Sequence, residues 1–428
     1  FPAKDGPMER WRVLFITPYV PSPIRVRSYN LSQALVARGH RVHVLALASS
    51  AEEAGEAERL RARGVDVTTV PLPRRQSLAN CARAVFTGWP LQAAFTRSPA
   101  MWRTVEQALV GGHYTLVHVE HLRGAGYGPA CGNVPAVWDA VDCISLLLER
   151  TLAHGPGLKY RLAAAMDLAR TRAYEAAAQG WYWRVLTTSH EDAEALRRLA
   201  PAGGGPVVAL GHGVDTTYFS PWDLPRDGFT VVFTGKMSYH ANVASALDLA
   251  HGVMPIVWQR HPEARLRIVG KDPPPAVQRL AEDPRIQVTG TVPDLRPHLA
   301  QATVAVCPLR YGVGIQAKAL EAMAMATPVV ASPQVARALG ARVGQALLTG
   351  EGAAGLAQGI QTVLERPGLA AALGYQGRRH VEAHHDWRIL AARLEAIYGE
   401  VIGEWMERPA RQRSRARLQP ELRAWAGG

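Results

Sequence analysis

Short β-branched runs alternate with helically spaced apolar residues along almost the whole chain, and that alternation constrains the fold more than any other feature. Residues 12–16 (Arg-Val-Leu-Phe-Ile) form one such run. A loop with Pro18, Pro21 and Pro23 follows, then Ser28–Arg38 with apolar residues at helical spacing, closed by Gly39, and a second run at Arg41–Leu47. Strand, loop, helix, strand is the signature of a parallel βαβ unit, because parallel neighbours need a long crossover that is usually helical. The pattern recurs with runs at Val65–Val70, Leu116–Glu120, Ala136–Trp138 and Val185–Thr188, and with a long helix near Leu158–Ala178.

At Pro201-Ala-Gly-Gly-Gly-Pro206 the composition turns to structure-breaking residues, which marks a domain boundary. A second series follows: Thr230–Thr234, Leu266–Val269, Ile286–Thr289, Thr303–Cys307 and Val329–Ala331. The expected fold class is therefore α/β, with two doubly wound parallel-sheet domains in tandem, at 8–203 and 204–386. Residues 1–7, ahead of Met8, are set aside. Trp387, Leu390, Leu394, Ile397, Val401 and Trp405 form one apolar stripe on a helix over 387–406, placed to pack on the second domain or to cross back onto the first. A basic tail spans 407–428. In such sheets ligands sit at the carboxyl ends of the strands, which singles out the loops after Ile16, Glu120, Thr234, Thr289 and Cys307.

At 428 residues each domain is large enough for its own core without disulfide staples. No apolar stretch reaches the ~18 residues of a membrane span, and the candidates are broken by Asp139, Asp142 and Glu321. Cys81, Cys131, Cys143 and Cys307 are far apart and form no CxxC pair, so they are expected to be reduced core thiols. No leader pattern is seen, and a cytoplasmic location is expected. The net charge of +12 favours an anionic partner. Arg408, Arg411, Arg413, Arg415, Arg417 and Arg423 stand against Glu407 and Glu421, so the tail could sit on an anionic membrane surface. Nucleic acid is not expected, because no aromatic-interleaved basic run or zinc-finger spacing occurs.

The densest signal runs from Val306 to Ser332: strand, glycine loop, helix, strand. Gly312 and Gly314 let the backbone approach a ligand closely, and the helix starting near Gln316 offers unpaired N–H groups to a phosphate. Lys318 adds a full charge in the first turn. Glu321, one turn on, could reach a ribose diol, since one carboxylate accepts two hydroxyl bonds. The alternative is an i,i+3 surface pair of Lys318 with Glu321. Gly312–Ala317 also fits a GxGxxA dinucleotide pattern, but no acidic residue stands ~20 positions on, where a ribose partner belongs.

Gly314–Ser332, with Leu-Glu-Ala-Met-Ala and Pro-Val-Val-Ala-Ser, resembles the donor-binding signature of retaining GT-B glycosyltransferases of family 4. Ile16-Thr-Pro-Tyr-Val-Pro, Arg-Ser-Tyr-Asn-Leu, Gly211–Pro221, Phe233–Asn242 and Val288–Val292 support it. Within the family the chain is most similar to bacterial exopolysaccharide-type sugar transferases. The resemblance implies two Rossmann-like domains facing a cleft, the first binding acceptor and the second binding donor, with the last helix crossing back to the first.

It further implies that Glu321 binds ribose, that the backbone at Thr291 and Val292 contacts the base, and that Gly235 and Lys236 meet the diphosphate. Gly314, Ile315 and Gln316 would present backbone to the donor. The second basic phosphate ligand of the family is Asn242 here, so its role would fall to Lys318 or Arg27. Val313 stands where many members carry a glutamate that meets the sugar. In the first domain Tyr19–Arg27 would face the diphosphate without its usual glycine; Arg25 and Arg27 either compensate or are solvated. The His118-Val-Glu-His121 segment supplies the expected active-site histidine, with His121 and Glu120 as catalytic candidates and a metal cluster of His118, Glu120 and His121 as the alternative. Asp139 and Asp142 would touch acceptor or serve as caps.

No Asp-x-Asp, GxSxG or P-loop occurs. The expected activity is metal-independent transfer, without any cofactor, of a sugar from a UDP-, GDP- or ADP-linked donor to a sugar, lipid-linked or small-molecule hydroxyl, with retention, in polysaccharide or glycoconjugate synthesis. A silent nucleotide-sugar-binding protein and an epimerase or phosphorylase are the alternatives.

Overall fold

A computed structural model describes residues 10–155, 157–309 and 313–409. Gly312 of the glycine loop, the segment ahead of residue 10 and the tail beyond residue 409 lie outside the described residues. The chain divides into two compact units. The first comprises the chain up to Leu148, Ala165–Leu210 and the chain from Ala391 onward; the second comprises Glu149–Ala164 and Gly211–Leu390.

Each unit is built on an all-parallel sheet. The first has β1 (Arg12–Thr17), β2 (Arg41–Ala48), β3 (Asp66–Pro71), β4 (Leu116–Glu120), β5 (Ala136–Val141), β6 (Arg184–Thr187) and β7 (Val207–Ala209), in the order β3-β2-β1-β4-β5-β6-β7. The second has β8 (Thr230–Thr234), β9 (Arg265–Val269), β10 (Ile286–Val288), β11 (Val304–Cys307), β12 (Val329–Ala331) and β13 (Leu348–Thr349), in the order β10-β9-β8-β11-β12-β13. Both are the doubly wound α/β sheets the alternation predicts. The direction of winding reverses between β1 and β4 and between β8 and β11, and ligands bind outside the carboxyl ends at such points.

The central strands β1, β4, β5, β8 and β11 are buried nearly end to end because both sheet faces are covered, whereas the outer strand β3 exposes Asp66 and Thr68. In the second unit Val231, Phe233, Val304 and Val306 belong to one core, whereas Val232, Ala305 and Cys307 belong to the core on the other face. Successive side chains thus feed opposite cores.

Four helices carry or brace the residues singled out in the sequence: α1 (Val26–Ala37), α2 (Arg74–Ala84), α3 (Ala317–Ala324) and α4 (Trp387–Glu407). Within the first unit α4 packs through Leu394, Tyr398, Val401 and Ile402, all buried. The buried line runs through Tyr398 rather than Ile397, which is only partly covered, because Tyr398 continues the i, i+3, i+4 rows from Ala391 and Leu394. Glu395 pairs with Arg38 and His40, and Trp405 Nε1 donates to the Asn133 carbonyl at 2.8 Å.

The Pro-Gly segment at 201–206 is a turn inside the first unit: β7 follows it and pairs with β6, so the division falls at Leu210 and Gly211. Three cysteines are buried and free; Cys81 is free and partly exposed. Among the described residues no helix is long and apolar enough to cross a membrane.

Candidate functional site

In the second unit the carboxyl ends of β8, β9 and β10 are drawn together by backbone bonds. Gly235 N donates to the Val269 carbonyl at 3.0 Å and Gly270 N to the Gly290 carbonyl at 3.2 Å. Glycine is needed where these turns meet: a Cβ on Gly270 would lie 1.8 Å from the Gly235 carbonyl oxygen, and one on Gly235 would lie 2.8 Å from Asn242 Nδ2. A cavity of about 450 Å³ opens beside them. Gly235, Lys236, Thr291, Val292, Gln316, Lys318 and Glu321 line it, all of them expected from the sequence.

Asn242 organises the cavity wall. Its Nδ2 donates to the Lys236 carbonyl at 2.9 Å, and its Oδ1 accepts from Lys318 Nζ at 2.6 Å. The Lys318 ammonium also lies 4.6 Å from the Phe233 ring centroid. Burial lowers its pKa, opposed by Cys307 and Glu321. The surface pair with Glu321 does not form. Glu321 has no side-chain hydrogen bond among the described residues, and burial pushes its carboxyl up to about 7, with Lys318 pulling the other way. Gln316 precedes the first turn of α3 without capping it by its side chain, which leaves early N–H groups open toward the cavity. Gly314 takes a left-handed φ of 69°, and Ile315 packs on the core instead of lining the cavity.

Lys271 and Leu295 also line this cavity. Lys271 is missed because the loop after β9 is not among those singled out, although it directly follows a glycine at a strand's carboxyl end; Leu295 lies in a singled-out loop but carries no polar group to mark it. A larger hollow of about 600 Å³, near Asp248, Ser332 and Glu351, holds none of the predicted residues.

In the first unit the predicted residues gather where β1, β4 and β5 end. Arg27 is only 4% exposed: its Nε donates to Asp139 Oδ2 at 2.7 Å and its Nη2 to the Leu210 carbonyl at 3.0 Å. It is neither solvated nor a spare cation, since Asp139 already neutralises its charge. Burial would raise the Asp139 carboxyl, but Arg27 and His118 hold it at about 2. Asp139 is thus an ion-pair partner within β5. Asp142 accepts from Thr188 Oγ1 at 3.0 Å, and its carboxyl is pushed up by burial and by Asp192.

His118 and Glu120 share one side of β4, and His121 follows the strand. His118 is buried between Phe15, Asp139 and Tyr398, with the Tyr398 hydroxyl 2.8 Å from its Nδ1. Glu120 is buried too; burial raises its carboxyl to about 7, with Ser28 and Arg27 pulling the other way, and its Oε2 has no hydrogen-bond partner among the described residues. His121 leaves the strand with a left-handed φ of 66°, a conformation that costs a non-glycine residue about 1–3 kcal/mol. Its Nδ1 accepts from Arg123 N at 3.2 Å, which puts the proton on Nε2. Burial, and then Arg123, lower its pKa to about 3, so the ring is neutral. Among the described residues no group of histidine, cysteine or carboxylate side chains could hold a metal ion, including this one.

Residues 24–218 match the family model described as Glycosyltransferase Family 4, and residues 228–366 match Glycosyl transferases group 1. Both halves of the chain carry glycosyltransferase domains. Phosphatidyl-myo-inositol mannosyltransferase of Mycobacterium tuberculosis is 26% identical over 413 residues, covering 92% of this chain and 97% of that one. D-inositol 3-phosphate glycosyltransferase of Kribbella flavida is 27% identical over 243 residues, 50% of this chain and 56% of that one. Among solved structures, sucrose-phosphate synthase from Thermosynechococcus elongatus superposes with a TM-score of 0.69 at 19% identity, over 92% of this chain and all of that one. Anabaena HepE in complex with UDP and glucose does so with a TM-score of 0.63 at 15% identity, over 91% and 100%. The fold of this glycosyltransferase is accordingly of the GT-B type.

Proposed function

We propose that this glycosyltransferase moves a sugar from a nucleoside diphosphate donor to a hydroxyl acceptor with retention at the anomeric carbon and without a metal. The observation that carries the reading is the pairing, on one cavity wall, of an ammonium held by Asn242 with a carboxylate that has no hydrogen-bond partner among the described residues. A nucleoside diphosphate answers both, with its phosphates at Lys318 and its ribose hydroxyls at Glu321.

As the sugar departs, negative charge grows on the diphosphate. Lys318, Lys236 and the N–H groups that open α3 are fixed in advance where that charge develops, which is how a site lowers a barrier without reorganising. A diphosphate oxygen takes the acceptor proton in this reading, so no nucleophilic carboxylate is needed. Neutral His121 and Glu120 in the first unit would orient the acceptor and sugar hydroxyls. UDP is the first donor base to try, since HepE binds UDP and UDP-glucose by the descriptions of its complexes. Synthesis of a polysaccharide or glycoconjugate is the setting, with reversible attachment to an anionic membrane through the arginine-rich tail.

The deciding experiment is a thermal-shift panel of UDP, GDP, ADP and dTDP with their sugars, followed by product analysis. A ligand at 100 times its dissociation constant stabilises by ~2.7 kcal/mol. Stabilisation by one nucleotide series with transfer of its sugar supports the reading. Binding without turnover on any acceptor would favour a silent binding protein.

A further inference from the structure

The first unit holds a hollow of about 200 Å³ that the donor chemistry leaves unused. It opens where three strands end: Pro18 and Tyr19 follow β1, Ser49 follows β2, and Arg74 lies just beyond β3 at the first residue of α2. Three guanidiniums line it, from Arg25, Arg74 and Arg123, against the single carboxylate of Glu53. Arg25 is answered: its Nη1 lies 2.6 Å from Glu53 Oε1, and it stacks 4.4 Å from the Tyr19 ring centroid.

The other two are not answered. Arg74 is exposed and makes no ion pair among the described residues. Arg123 is partly buried, and its Nε is wholly buried without a hydrogen-bond acceptor among the described residues. Its guanidinium lies 5.8 Å from the Phe95 ring centroid, and no carboxylate pairs with it among the described residues. A buried guanidinium N–H without an acceptor has lost its water and gained nothing in return. A ligand that brings acceptor oxygens recovers that loss. Two uncompensated positive charges suit a phosphate better than a carboxylate, because phosphate offers more acceptor oxygens in the fork geometry of arginine.

We infer that this hollow is an acceptor subsite that binds a phosphate group between Arg123 and Arg74. This rests on the glycosyltransferase reading and adds to it the chemical class of the acceptor: a hydroxyl compound that carries a phosphate. The phosphate belongs either to a small phosphorylated polyol or to a phospholipid headgroup, and both present the same oxygens.

The test is a calorimetric titration of the full chain, with and without UDP, using glycerol 3-phosphate, dihexanoyl phosphatidylglycerol below its micelle concentration, and glycerol. At least one phosphate probe should bind and glycerol should not; which probe binds more tightly identifies the source. Arg123→Gln should weaken that binding at least tenfold. Arg74→Gln, on an exposed residue whose loss cannot disturb the core, should weaken it too. UDP affinity should be the same in both variants. Equal binding of phosphate probes to wild type and both variants, absence of phosphate binding, or a parallel loss of UDP affinity would each overturn the subsite. Failure of the donor reading shows separately, as a wild-type chain that binds no nucleoside diphosphate.

Discussion

Lys318 directs its ammonium at Asn242 Oδ1, 2.6 Å away, and leaves Glu321, one turn further along α3, without a hydrogen-bond partner among the described residues. The two residues lie on one helix at a spacing that usually makes an ion pair. Their separation leaves a carboxylate in the cavity that is free to receive ligand hydroxyls.

Glu321→Ala should reduce nucleoside diphosphate affinity at least tenfold while the fold persists, because each charge-assisted hydrogen bond is worth ~1.5–3 kcal/mol. Calorimetric titration with the preferred nucleotide and its 2′,3′-dideoxy analogue checks it. A mutant that still discriminates fully between the two would place the ribose elsewhere.

Nucleotide affinity should also depend on pH. The free Glu321 carboxyl titrates at about 7, and ribose hydroxyls donate only to full advantage to the charged form, so binding lowers that pKa. Affinity is therefore complete above pH ~7 and falls as the pH drops below it, by at most about tenfold per unit. Titrations from pH 5.5 to 8.5 should show this slope, and Glu321→Gln should flatten it.

Asn242→Ala should act on the diphosphate and not on the base. It frees the Lys318 ammonium and removes the donor to the Lys236 carbonyl, and a hydrogen bond of ~0.5–1.5 kcal/mol corresponds to about a twofold to twelvefold effect. Affinity for the diphosphate should fall by that factor while affinity for the monophosphate changes less.

Arg27→Met should cost about 3–5 kcal/mol of stability by leaving the buried Asp139 charge without its partner. Asp139 sits at about 2 in the folded protein, below the ~3.9 of an unfolded chain. Its contribution is present above that unfolded value and disappears as the pH falls toward 2. Denaturant midpoints at pH 7 and pH 3 should differ more for wild type than for Arg27→Met.

The proposed neutralisation of the diphosphate by Lys236 and Lys318 predicts that activity survives excess EDTA. Loss of turnover on chelation, restored by one divalent cation, would overturn the metal-free mechanism.

Periodicity makes the two sheets legible because buried parallel strands are apolar on both faces. β7 and β13 escape it: β13 is only two residues long, and β7 directly follows the Pro-Gly segment, which reads as a boundary. Asn242 reads in the sequence as a missing cation, since its bridging amide depends on a turn that brings it back to Lys236. Arg27 misleads for a related reason. An arginine near a glycine-poor loop reads as solvated or phosphate-facing, and only the approach of β5 to α1 shows Asp139 beneath it. The division at Leu210 is displaced from the Pro-Gly segment because an edge strand follows that segment.

The order of synthesis gives the first unit an unusual dependence. Its sheet is complete once residue 209 has been made, yet His118, Arg38 and His40 receive Tyr398 and Glu395 only when the last helix emerges, nearly two hundred residues later. Until then these polar groups, His40 and His118 buried in the finished fold, face an open groove, and the nascent first unit must wait for the whole second unit to be translated. Truncation anywhere in α4 should therefore damage the beginning of the chain more than the segment next to the cut.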